Sequence, residues 1–167
     1  YALNLRRLVD GMRQNISLIQ AKSLISLLKS GEDPRPIARQ VALYGALNRE
    51  DWGPGLTVLS AMTSLTEHLS PETRYLALYQ GTRRVAADCA NQPPRQALSP
   101  LETQEHSLET LQRWLRYWTL VRHSDGAERA LLTAIANGST PEQLAALMFS
   151  AATDRFYSAG GHLVDFC

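Results

Sequence analysis

Residues 2–29 read ALNLRRLVDGMRQNISLIQAKSLISLLK, with Leu5, Leu8, Met12, Ile16, Ile19, Leu24, Ile25 and Leu28 recurring at helical spacing. That pattern predicts helix along the stretch, kinked near Asp10-Gly11. Gly31 follows as a residue that accepts the left-handed backbone of a helix end. Working outward, Asp33-Pro34-Arg35-Pro36 restarts a helix running to about Leu47. Asp51-Trp52-Gly53-Pro54 makes a turn before a further helix with Leu56, Leu59, Met62 and Leu65 on its apolar face.

Four more helix starts are written in capping chemistry. Ser70-Pro71-Glu72 sets a hydroxyl before a proline at the first helical position, where the missing N–H costs nothing. Ser99-Pro100-Leu101-Glu102 and Thr140-Pro141-Glu142-Gln143 have the hydroxyl-then-Glu/Gln spacing of a capping box, and Asp125-Gly126-Ala127-Glu128 is an acidic version. Pro93-Pro94 breaks residues 90–98 into an extended link. Nothing reads as a strand. The expected fold is all-α, a multi-helix bundle or array of helical hairpins.

The link divides possible halves, 1–90 and 99–167, within one helical domain. Ala42-Leu43-Tyr44-Gly45-Ala46-Leu47 lies over Ala130-Leu131-Leu132-Thr133-Ala134-Ile135 without gaps, and Leu56 and Leu59 meet Leu144 and Leu147 at the same offset. Two readings stay open, a pseudo-repeat of hairpins or the chance coincidence of alanine and leucine in amphipathic helices. The chain starts at Tyr1 and ends inside a helical pattern at Cys167, so the expectation is a piece of a longer polypeptide.

Composition narrows the function classes. With 17 Lys/Arg against 16 Asp/Glu, the chain lacks the basic excess that nucleic-acid binding exploits. Arg113, Arg116 and Arg122 interleave with Trp114, Tyr117 and Trp118, but those rings fall at core spacing. No apolar run approaches the roughly 20 residues of a membrane span. Cys89 and Cys167 match no metal or redox spacing and read as reduced thiols of a cytoplasmic protein. No face carries a heptad seam, so oligomeric state stays open.

The chain has four histidines. His68 and His123 close helices, where a cation suits the negative dipole end. His106 stands among Glu102, Glu105 and Glu109, and Glu102 with His106 four residues on would share a helix face as two metal ligands. A charged, solvated first turn of a helix explains that cluster more simply. The richest constellation is C-terminal: Gly160-Gly161 permit an unusual turn, His162 and Asp165 share the face that follows, and Asp154 and Tyr157 precede it. A carboxylate-oriented histidine there suits a base or a metal ligand. A tight helix corner with a satisfied histidine uses the same residues without chemistry. No nucleophile elbow, phosphate loop or dinucleotide fingerprint occurs.

The runs Leu76-Ala77-Leu78-Tyr79-Gln80-Gly81, Asp88-Cys89, Pro93-Pro94-Arg95, Ala130 to Ile135, Ala151-Ala152-Thr153-Asp154-Arg155 and Gly160 to Phe166 carry a likeness. From about residue 36 onward the chain resembles the helical region that precedes a C-terminal Rieske iron–sulfur domain in a group of bacterial proteins. The resemblance implies a polypeptide continuing past Cys167, with a Rieske domain in cis and a 2Fe–2S cluster outside this chain. A Rieske cluster takes two Cys and two His from paired loops, which this sequence lacks, so the chain itself is expected to hold no cofactor. The first functional expectation is a helical accessory domain of a Rieske-type redox-associated protein, holding a partner domain or a small-molecule ligand. The alternative is a metal- or acid/base-dependent helical oxidoreductase with a pocket around His162 and Asp165.

Overall fold

The computed structural model describes residues 1–50, 53–102 and 106–159, with side chains described as far as Asp154. The described residues form eight α-helices and a short 3-10 turn, with no strand among them. The helices are α1 Ala2–Arg13, α2 Ser17–Lys29, α3 Pro34–Leu47, α4 Pro54–Leu65, α5 Pro71–Cys89, α6 Leu108–Leu120, α7 Ser124–Ala136 and α8 Pro141–Ala159, with the 3-10 turn Thr66–His68 after α4. The all-α expectation holds. None of the described helices is long and apolar enough to cross a membrane.

The chain divides into two compact units, residues 1–96 and 97–167. In unit 1, α1 to α5 pack around Leu8, Met12, Leu24, Leu27, Ile37, Val41, Leu59, Leu78 and Val85, each at most 2% exposed. In unit 2, α6 packs on both α7 and α8 around Leu111, Leu115, Ala130, Ala134, Leu147 and Ala151. Trp114 and Trp118 are half-buried against that second core.

The break in the first helical stretch is not at Gly11. Helix α1 runs through Gly11 to Arg13, and Asn15 turns the chain with φ 51°. The Ile16 N–H donates to Gly11 O at 2.8 Å and the Asn15 N–H to Met12 O at 2.9 Å, the paired bonds of a Schellman ending. Gly11 instead lets two helices touch: a Cβ there would lie 2.8 Å from Ile19 Cγ2 and 3.2 Å from the Gln20 nitrogen. The fully buried Gln20 uses this approach, donating from Nε2 to Gly11 O at 3.1 Å. Ile16 and Ile25, assigned to the apolar face, are 38% and 36% exposed; Ile16 closes one helix and opens the next, while Ile25 lies within α2.

The caps of α3, α5 and α8 follow the sequence. Asp33 accepts from the Arg35 N–H at 2.9 Å and Ser70 from the Thr73 N–H at 3.3 Å. Thr140 and Gln143 form a reciprocal box, the Thr140 N–H donating to Gln143 Oε1 at 2.8 Å and the Gln143 N–H to Thr140 Oγ1 at 3.3 Å. Two expected starts moved. No helix begins at Ser99: α6 starts at Leu108, capped by Ser107, whose Oγ accepts from the Thr110 N–H at 3.2 Å. The 99–102 backbone is drawn to α7, with the Leu101 N–H donating to Thr133 Oγ1 and Arg129 donating to Ser99 O. Helix α7 starts at Ser124, capped by His123 in place of Asp125.

Candidate functional site

Of the C-terminal constellation, His162 and Asp165 lie outside the described residues, and Tyr157 is described only as a backbone position in α8. Asp154 is described. Helix α8 sets it one turn beyond Ser150, and these two residues meet Arg116 and Gln112, also one turn apart on α6. Gln112 Nε2 donates to Ser150 Oγ at 3.1 Å, and Arg116 Nε pairs with the Asp154 carboxylate. The two pairs form a polar ladder along the α6–α8 seam, with Asp154 held by a guanidinium.

The second sequence candidate, Glu102 with His106, loses its geometry. Both residues precede α6, so the four-residue helical spacing does not relate them. Glu102 is exposed. No group of three or more His, Cys, Asp or Glu side chains suited to a metal ion occurs among the described residues.

His106 instead stands at a cavity of about 840 Å³ lined by Ser107, Leu108, Leu111, Asn137, Ser139 and Gln143, among others. Three helix ends build it. Ser107 caps the start of α6, Gln143 closes the box at the start of α8, and Gly138 at φ 80° ends α7. The Gly138 N–H donates to Ile135 O and the Ser139 N–H to Ala134 O, each at 3.0 Å, so the turn that forms one wall is internally bonded. Asn137 Nδ2 reaches across to His106 O at 3.2 Å. Leu108 and Leu111 supply the apolar part of the lining. The His106 ring stands edge-on to Trp114, with centroids 4.6 Å apart; Trp114 lies 5.7 Å from Trp118, and Trp118 lies 6.3 Å from His123. Four rings thus run along α6, from the cavity to the α6–α7 corner.

His123 departs from its expected role. The sequence places it as a cation at the end of α6, whereas its Nδ1 accepts from the Gly126 N–H at 2.9 Å, and it therefore starts α7 as an acceptor. His68 is exposed at the end of the 3-10 turn, as a solvated residue there would be.

Unit 1 contains an arrangement that sequence reasoning missed. The Asp88 carboxylate on α5, with its side chain 12% exposed, accepts from the Gly55 N–H at 2.6 Å and thereby caps α4 from another helix. Arg84 pairs with it at 3.4 Å, and Arg49 donates to the Asp88 carbonyl at 2.6 Å. Gly53 and Gly55 make room, since a Cβ on either would lie 2.8 Å from Asp88 Oδ2. The signal was the Gly53-Pro54-Gly55 sequence together with a carboxylate beside the apolar face of α5. Next to it, the Cys89 thiol is pushed up by burial and by the Asp88 charge, with Arg49 opposing. Burial also raises Tyr44, with Cys89 adding to the effect. This cluster is a packed joint between α4 and α5.

No protein-family model, curated protein or solved structure matches this chain.

Proposed function

We propose that this chain is a helical binding domain serving a bacterial Rieske-type redox protein, with a ligand or partner segment seated at the His106 cavity of unit 2. The observation that carries the binding reading is the cavity. Its volume of about 840 Å³ falls in the range of small-molecule sites, roughly 300–1,000 Å³, and its lining mixes the apolar Leu108 and Leu111 with the polar Ser107, Asn137, Ser139 and Gln143. The Rieske association rests on the sequence resemblance alone, and the iron–sulfur cluster belongs to a domain outside this chain. The buried thiol of Cys89, which is in no disulfide, suits a reducing compartment such as the cytoplasm.

Amide NMR on the labelled chain tests the binding reading, using a panel of small neutral heteroaromatic compounds as probes. Shifts concentrated at Ser107, Leu111, Asn137 and Gly138, and lost in Asn137→Leu, support it. Shifts absent across the panel, or scattered over both units, remove it. The alternative oxidoreductase reading around His162 and Asp165 makes a separate prediction. Near-stoichiometric iron, zinc or manganese in protein purified without chelator, lost in His162→Ala, would replace the binding-domain reading; metal-free folded protein leaves that reading in place.

A further inference from the structure

We infer that His123 is an acid-sensitive latch on the α6–α7 corner, holding the start of α7 while its imidazole is neutral and releasing it on protonation. The residue closes both helices at once. Arg122 takes the left-handed backbone at φ 58°, and the His123 N–H donates to Trp118 O at 2.8 Å, completing the end of α6. The side chain then accepts the Gly126 N–H at 2.9 Å, completing the start of α7. The corner is fitted to this ring. A Cβ on the buried Gly126 would lie 2.6 Å from His123 Nδ1 and 2.6 Å from Trp118 Cδ2, so only glycine lets the imidazole and indole close over the backbone.

The usual helix caps, serine, threonine, asparagine and aspartate, keep an acceptor at any pH between about 5 and 8. Histidine does not. Accepting at Nδ1 requires the proton to sit on Nε2, and a second proton fills the Nδ1 lone pair that Gly126 uses. The imidazolium then stands at the positive end of the α7 dipole. Arg122 precedes it, Asp125 lies in the first turn of α7 and Glu128 in the second. From α6 it meets the uncharged Trp118 ring. Asp125 can attract the cation but cannot restore an acceptor to the Gly126 N–H. His123 is solvent-exposed, so the proton reaches it without prior unfolding. The latch stands apart from the His106 cavity, at the opposite end of α6, and does not depend on that cavity's binding anything.

Amide hydrogen exchange on the whole chain at about pH 8 and about pH 5, compared with His123→Asn, tests the latch. Asparagine caps without titrating in this range. The wild type should lose about 2- to 30-fold of its protection factor at Gly126 and Ala127 in acid, the ratio that matches loss of one cap. The Asn variant should lose none. Equal losses in both proteins, or no loss in the wild type, would overturn the proposal. Imidazole nitrogen shifts of the wild type give a second reading: the Nε2–H tautomer is expected at about pH 8, and the Nδ1–H tautomer would sink the idea without any variant.

Discussion

At Gly55 the absence of a side chain is a packing requirement, because a Cβ there would stand 2.7 Å from the backbone nitrogen of Val85 and 2.8 Å from its Cα. Backbone cannot move aside as a flexible side-chain end can, so α4 would have to shift away from α5. Gly55→Ala should therefore cost about 3 kcal/mol, the upper end of overpacking effects. Gly31 has open space around it and a φ of 79°, so Gly31→Ala should cost only the left-handed backbone term, about 1–2 kcal/mol. Urea unfolding midpoints of the two variants, compared side by side, decide whether this ordering is right. Cys89 makes a different prediction. Burial favours its neutral thiol, so that contribution to stability is intact below the ordinary value of 9.0 and is lost as pH rises through the raised folded value. In a Cys167→Ser background, Cys89 should react slowly with a thiol reagent at neutral pH until the chain unfolds. Cys89→Ala should flatten the alkaline fall in melting temperature. Fast labelling of the folded protein would contradict the burial argument.

Helix starts were legible where the capping residue and the amide it satisfies lie within three residues of each other. Asp33, Ser70 and the Thr140/Gln143 box are such cases, each bonding an amide two or three residues away. Ser99 had the same local chemistry and failed. Thr133 and Arg129 engage the backbone of residues 99–101 from α7, and Ser107 offers an equally good cap eight residues later. Glu102 and His106 share a helix face only if a helix begins at Ser99, and α6 begins after both residues. Ser107→Ala should accordingly destabilise unit 2 by about 0.5–2 kcal/mol, whereas Ser99→Ala should fall within about 0.5 kcal/mol of wild type. Chemical denaturation of the two variants separates them; equal effects would mean that α6 draws little from its cap.

Across the whole molecule, the stretch from Asn91 to Ala97 is exposed throughout and joins two units that each have a core. Its backbone ties include the Gln92 N–H to Cys89 O at 3.1 Å and the Arg95 N–H to Leu47 O at 2.8 Å. Trypsin at low concentration should cut first after Arg95, giving two fragments that resist further digestion, as expected for exposed backbone with few contacts. Early cuts inside α1 to α5 instead would show that unit 1 is looser than its core implies. What the sequence determined by itself was the helical class, most of the boundaries and the caps, because periodicity and capping are set by residues within a turn or two of each other. Tertiary structure alone decided the Asp88 cap on Gly55, the Arg116–Asp154 and Gln112–Ser150 ladder, the Gly11 crossing and the cavity at His106. Except at Gly11, these arrangements join residues about thirty or more positions apart. No local pattern encodes such partners; they meet only after the apolar faces of the helices have chosen how to pack.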